Sequence, residues 1–415
     1  MHQGFFRLCI TGFSLFALLL SGECRAEFSL HPGLYTRLEM TDNLFLSETD
    51  KYQEWIVTVA PYLWLAQRSK ELNISLQYRY ERYRYLNQPS FNDRADTHIG
   101  ILDGVILPER ALRIELYADA RRENLDRRRS DVVDLPLSNT TNRYLGRIRP
   151  VYHLDIGLRH YFETAYSYET VQYDTQISDE TETQRVELLL NRRQSTLLDL
   201  QLEGLYEHLA AKINYDYDRI QGRVGGEWRP FASTTISAKA GMTWFEYETG
   251  ENFNTRVYDC QLFYTPVVRW VLDLHYIKNF DYDIQDGLYR IWRGDGGIAY
   301  NSRLSWRLGL LFSMSEYVQV RRDDQEYGVV GTATYRLTPK VLFGINADGR
   351  RLELEPVTEN IDRYSLGASF VYTPREYIIF GCRYIYRNSD SDLDINDYRE
   401  NRVSCDLRLT YNMIH

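Results

Sequence analysis

The chain is predicted to be all-β: a transmembrane antiparallel up-and-down β-barrel of 16 to 20 strands, with 20 the best count. Apolar and polar residues alternate with period two over runs of roughly 10–15 residues, longer than the five or six usual in soluble sandwiches. Tight turns alternate along the chain with longer polar connections, as in outer-membrane barrels. The 34 Tyr, 17 Phe and 7 Trp among 415 residues suit a boundary between water and hydrocarbon.

Composition excludes several other classes. A mean hydropathy of -0.46 is too low for a helical membrane protein. The aromatic content is too high for a disordered chain. Only 11 Pro and 25 Gly rule out collagen-like sequence. A formal charge of -9 with no basic tail argues against a nucleic-acid partner.

Residues 1–26 read as a cleaved signal peptide. Arg7 is basic, Leu8 to Leu20 are mostly apolar, and Cys24-Arg25-Ala26 offers small side chains before the cut. Glu23 is a poor neighbour for acylation of Cys24, which disfavours a lipoprotein. The domain division is therefore 1–26 signal peptide and 27–415 barrel. Export leaves Cys260, Cys382 and Cys405, an odd number, so at least one thiol stays free or finds a partner. Cys382 and Cys405 flank a loop expected at 389–397. A hairpin disulfide and two buried thiols both fit.

Along the barrel segment, Leu72 to Tyr80 alternates Leu, Ile, Leu, Tyr, Tyr with Asn, Ser, Gln, Arg. Leu112 to Leu116, Ile378 to Tyr384 and Val403 to Met413 do the same. No window has the i, i+3, i+4 pattern of a helix. Tight turns are expected near 69, 108, 154, 194, 230, 266, 302, 339 and 374. Pro230, Pro266, Pro339 and Pro374 lie 36, 73 and 35 residues apart, and Asn301-Ser302-Arg303 fills the missing slot. A hairpin of roughly 36 residues thus recurs, with Pro tolerated where no ladder donor is needed. Nine such turns with both termini at one rim give 20 strands. Closure is required, because an open edge in hydrocarbon has no water to satisfy it.

Trp228, Trp270 and Trp306 each lie close to a short turn and are expected to form an interfacial girdle. Tyr78, Tyr80, Tyr83, Tyr85, Tyr166 and Tyr168 lie toward the longer connections and could supply a second one. A secreted sandwich or propeller is the rival fold, disfavoured by strand length and by the asymmetry of the turns.

Near the N-terminus, Pro32-Gly33-Leu34-Tyr35, Thr41-Asp42-Asn43-Leu44-Phe45-Leu46 and Val59-Ala60-Pro61-Tyr62-Leu63 resemble the opening of the outer-membrane β-barrel proteins associated with exopolysaccharide and PEP-CTERM gene clusters. The match covers about 35 residues; beyond it the likeness is architectural. The resemblance implies a barrel in the outer membrane of a Gram-negative bacterium, serving as conduit or structural component in exopolysaccharide biogenesis or export. The chain departs from the usual terminal Phe or Trp with His415. The row Leu407, Leu409, Tyr411, Met413 keeps the pattern expected by the barrel-assembly machinery.

If the apolar rows face lipid, the opposite rows line the lumen. They carry Arg79, Arg113, Arg159, Arg223, Arg383 and Arg408, with Glu81, Glu115, Glu163, Glu187 and Glu227. Such guanidinium forks could guide anionic polymers, or could pair with carboxylates and stiffen the wall. Asp390, Asp392, Asp394 and Asp397 could bridge divalent cations, and Arg127-Arg128-Arg129 could meet lipopolysaccharide phosphates; solvated loops are the simpler reading of both. The histidines stand singly, and no nucleophile, cofactor or metal motif is present, so no enzyme, cofactor or metal is expected. His160 shares a row with Phe162 and reads as interfacial. The function expected is a non-enzymatic conduit, with a general diffusion porin and then a lipid-modifying enzyme as alternatives. Its partners would be outer-membrane lipid, lipopolysaccharide, the assembly machinery, a polysaccharide and separate periplasmic export proteins.

Overall fold

The computed structural model describes residues 27–411 except 95, 125–139, 176–177, 250–251, 284–285, 319, 321, 357–358 and 394–395. The leader segment, Arg127 to Arg129 and Asp394 lie outside the described residues. One sheet of 20 antiparallel strands runs in chain order and closes on itself. The strands are β1 (Glu27–Thr41), β2 (Glu54–Arg68), β3 (Leu72–Tyr85), β4 (Thr97–Ile106) and β5 (Leu112–Asn124). Next come β6 (Thr140–Ile156), β7 (His160–Tyr173), β8 (Thr181–Arg193), β9 (Leu198–Ala211) and β10 (Tyr217–Phe231). Then follow β11 (Thr234–Tyr247), β12 (Asn252–Tyr264), β13 (Trp270–Asp283), β14 (Gly287–Tyr300) and β15 (Leu304–Tyr317). The last five are β16 (Asp323–Thr338), β17 (Val341–Leu354), β18 (Glu359–Arg375), β19 (Ile378–Ser391) and β20 (Tyr398–Thr410).

The nine short turns fall at or within about three residues of the expected positions, from 69–71 between β2 and β3 to 376–377 between β18 and β19; those expected near 154, 230 and 374 come slightly later because β6, β10 and β18 run on to Ile156, Phe231 and Arg375. Gly157, at φ 71°, supplies the left-handed residue in the β6–β7 turn. The longest connections, among them 42–53 and 86–96, share the opposite rim, which makes that rim extracellular and the short-turn rim periplasmic. Twenty strands about 4.8 Å apart and tilted by about 40° give a backbone diameter of about 40 Å. The single closed sheet replaces the sandwich alternative.

Closure joins β20 to β1 over nine register pairs, Gly33↔Thr410 to Thr41↔Arg402. The residues of the N-terminal resemblance are gathered there. Tyr62 lies over Gly33, its register partner, and its hydroxyl donates to the Leu409 carbonyl at 3.1 Å, bridging β2 to β20 across β1. The Asp42 carboxylate accepts from the backbone N–H and Nδ2 of Asn401 at 2.7 and 2.8 Å. Asn43 Nδ2 donates to the carbonyls of Ser47 and Arg399 at 2.7 and 2.9 Å. The T-D-N stretch thus ties the first loop to the last strand.

Which face is inside follows from reach. Neighbouring strands stand about 4.8 Å apart, so side chains two strands apart can meet only where the sheet is concave. Tyr62 on β2 to Thr410 on β20, Arg113 on β5 to Glu163 on β7 and Lys239 on β11 to Glu203 on β9 all do so. The opposite rows carry the exposed apolar side chains, among them Leu202, Val224, Leu310, Ile345 and Leu366, each more than half exposed. That belt needs hydrocarbon against it.

Cys382 and Cys405 are register partners on this outer face and form a disulfide between β19 and β20; Cys260, also outward, is free. β19 runs on to Ser391, so the expected loop at 389–397 is shorter. The buried apolar clusters sit inside, toward the long-loop rim. One holds Leu44, Leu46, Ile56, Tyr83, Tyr85 and Tyr398; a second centres on Tyr217, Phe245, Val257, Phe280 and Leu288, and a small third on Val171 and Tyr173. Tyr83 and Tyr85 therefore depart from the expected girdle. They fall on odd positions of β3, whereas Tyr78 and Tyr80 fall on even ones, and strand parity sends the two pairs to opposite faces.

Candidate functional site

The inner wall carries the chemistry. Arg113 pairs with Glu115 at 3.1 Å and Glu163 at 3.2 Å, and Arg149 pairs with Glu115 at 2.7 Å and Glu187 at 2.5 Å. The chain Glu163–Arg113–Glu115–Arg149–Glu187 therefore runs unbroken from β5 to β8. Beyond it, Arg185 meets Glu207 at 2.6 Å, with Arg219 at 3.7 Å on the other side. Glu203 takes both Arg223 at 2.6 Å and Lys239 at 2.7 Å. Farther round, Arg307 grips Asp273 with two hydrogen bonds of 2.9 and 2.7 Å. Pairs of this kind hold long side chains flat against the wall, and each carboxylate satisfies guanidinium donors that would otherwise project.

Arg219 is the most enclosed of these cations, 7 % exposed. It lies over the Phe245 and Phe280 rings at 5.5 and 5.9 Å. Its Nη2 donates to the side-chain oxygens of Gln221 at 2.5 Å and Asn279 at 2.8 Å. Together β6 to β10, with Asn279 and Phe280 of β13, line a recess of about 460 Å³, open to the lumen.

At the closure seam, Arg79 pairs with Glu81 at 2.7 Å and lies over Tyr35 at 5.7 Å, with Arg408 on that ring at 5.9 Å. Arg402 and Glu400, 1 % and 0 % exposed, are paired at 2.7 Å. Arg387 and the Thr41 hydroxyl also donate to Glu400, at 2.7 and 2.8 Å.

The sequence-derived lumen residues fall mainly on the inward rows. Arg79, Glu81, Arg113, Glu115, Glu163, Glu187 and Arg223 are wall residues with partners given above. Glu227 pairs with Arg229, and Arg383 and Arg408 occupy inward positions on β19 and β20. Arg159 is the exception. It lies in the β6–β7 turn, beyond the last inward residue of β6, because the chain reverses at Gly157; its carbonyl accepts from Arg193 N–H at 2.7 Å. Arg149, Arg185, Glu203, Glu207, Arg219 and Lys239 were not singled out from sequence. Their signal was parity alone: Arg185 is two residues from Glu187, and Glu203 and Glu207 flank Leu205.

On the outer face, Trp228 is 49 % exposed near the β10–β11 turn. Trp270 meets Trp306 edge-on at 5.5 Å and Tyr300 at 5.1 Å, all beside short turns. His160 shares the outward row with Phe162. In the last loop, Asp392 accepts from the backbone N–H and Nδ2 of Asn360 at 3.1 and 2.8 Å, which holds its carboxyl below the ordinary carboxylate range. Asp397 accepts from Ser391 N–H, so these carboxylates hold the ends of β18 and β19. No group of three metal-ligating side chains stands together among the described residues.

No protein-family model matches the chain, and no curated protein sequence matches it. Solved structures do. The chain is similar to the FrpB iron transporter of Neisseria meningitidis at 9 % identity and a TM-score of 0.55, covering 92 % of this chain and 81 % of that one. It is similar to the siderophore receptor PirA of Acinetobacter baumannii at 8 % identity and 0.53, covering 94 % and 81 %. The PirA of Pseudomonas aeruginosa gives 10 % and 0.50, covering 92 % and 80 %. At such identities the likeness is one of fold. With its closed sheet and lipid-facing belt, the chain is an outer-membrane β-barrel.

Proposed function

We propose that this barrel is a passive conduit across the outer membrane for a hydrophilic permeant, and that the permeant is an exopolysaccharide. The observation that carries the conduit reading is the paired ladder from Glu163 to Lys239 on the inner wall. Alternating fixed charges keep a bore hydrated, and pairing across strands keeps them on the wall instead of in the path. The choice of permeant rests on the N-terminal resemblance. Periplasmic export proteins would be separate chains, and lipopolysaccharide and the assembly machinery its membrane partners.

The same mixed-charge wall suits a general diffusion porin for small solutes, so the test separates the two. In planar bilayers the purified barrel is expected to conduct ions; a silent barrel would end both readings. Deleting the gene is expected to abolish surface polymer while leaving small-solute uptake unchanged. Retained polymer with impaired uptake would establish the porin instead.

A further inference from the structure

We infer that the inner wall between β6 and β13 holds a subsite for an uncharged, hydroxyl-rich saccharide segment; this deepens the conduit reading and rests on it. The recess of about 460 Å³ is within the range of ligand sites. Four guanidinium groups line it, those of Arg149, Arg185, Arg219 and Arg223. Four carboxylates line it too, from Glu163, Glu187, Glu203 and Glu207. The two signs balance.

They are also already matched. Arg149 pairs with Glu187, Arg185 with Glu207 and Arg223 with Glu203, at 2.5 to 2.6 Å. An anionic residue entering here must displace a carboxylate from its arginine and then stand beside it. A cationic residue meets the mirror-image problem. Either way a desolvated like-charge contact is created, which disfavours both. A hydroxyl donates and accepts at once, so it can bridge a guanidinium N–H and a carboxylate oxygen without breaking the pair. The amides of Gln221 and Asn279 add donors and acceptors of the same kind. Arg223, which sequence alone would assign to anionic polymers, is therefore neutralised in place by Glu203.

The test uses the folded full chain in detergent and in planar bilayers, with three probes: maltohexaose, hexagalacturonate and the glucosamine hexamer. Calorimetry at low salt is expected to show maltohexaose binding about tenfold more tightly than either charged hexamer, and maltohexaose alone should interrupt the ionic current. Equal or tighter binding of a charged hexamer, or no maltohexaose binding, would overturn the inference. The pair Glu187→Gln with Glu203→Gln leaves the recess with surplus arginine. It is expected to raise hexagalacturonate affinity about tenfold and to move maltohexaose affinity by less than about twofold. Asp273→Asn, outside the recess, should leave hexagalacturonate affinity at the wild-type value; an equal gain there would sink the assignment. Heat-modifiable migration in gels verifies that each variant is folded. A silent barrel that prefers maltohexaose would remove the conduit and keep the subsite, whereas an ion-conducting barrel without that preference would do the reverse.

Discussion

The Tyr62 ring occupies the space that a side chain on Gly33 would need: a Cβ built there would come within 2.1 Å of the Tyr62 ring and 2.5 Å of the Leu409 carbonyl. This pair lies where the first strand meets the last. Gly33→Val is expected to force Tyr62 off the wall and break its bond to Leu409. A loss of about 1–3 kcal/mol, typical of overpacking, would appear as a lower temperature of gel-shift unfolding. Unchanged unfolding would show that Tyr62 does not clamp the seam.

Arg149 bridges β5 and β8 through Glu115 and Glu187. Arg149→Ala takes the cation from Glu187 and leaves Glu115 with Arg113. The reversal potential in a salt gradient should move toward cation preference, by about two- to threefold in the permeability ratio. Because all three groups are partly exposed, the stability cost is expected to stay near about 1 kcal/mol.

Sidedness can be tested by a paired substitution. Val224, at the middle of β10, is 63 % exposed on the outer face, and Gln201 faces inward on β9. Val224→Arg should cost about 2–4 kcal/mol in lipid, as a midplane charge does. Gln201→Arg should cost less than about 0.5 kcal/mol. Refolding yields into vesicles that rank the other way would invert the barrel's two faces.

The Cys382–Cys405 bond closes a segment with a sequence separation of 23. Chain-entropy arguments give such a cross-link about 3 kcal/mol. Cys382→Ser with Cys405→Ser should therefore lower the urea midpoint of the detergent-folded barrel, whereas Cys260→Ser should leave it in place.

Asp392 supplies the pH dependence. Its folded pKa lies below the ordinary value of 3.8, so the contribution is complete above that value and is lost as pH falls through the folded one. Hydrogen exchange at Asn360, corrected for intrinsic rate, should stay slow at pH 5 and quicken below about pH 3.8. A flat profile would detach the carboxylate from this loop.

Most of the wall was legible because two local signals agree. Turn chemistry at Pro230, Pro266, Ser302, Pro339 and Pro374 marks one rim, and period-two alternation marks the faces between. What escaped depends on register and strand ends. Arg159 sits only a few residues past the last wall position of β6, and nothing in its own type says so. A Cys382–Cys405 bridge and two buried thiols both fitted the sequence, because one residue of register exchanges lipid for lumen; the strands set the two cysteines opposite each other. Arg149, Arg185 and Arg219 went unremarked because their carboxylates, Glu115 and Glu187 for the first and Glu207 for the other two, stand on other strands and come opposite only once the register is fixed.

The sulfur bridge opens onto hydrocarbon, on a hairpin whose second strand seals the cylinder. Water-borne thiol oxidants cannot reach that surface once lipid surrounds it. The bond must then be made earlier, while the polypeptide is still in transit through the periplasm. Cells lacking their periplasmic oxidising enzyme should therefore deliver a barrel whose last hairpin entered the membrane unlocked, with no later opportunity for repair.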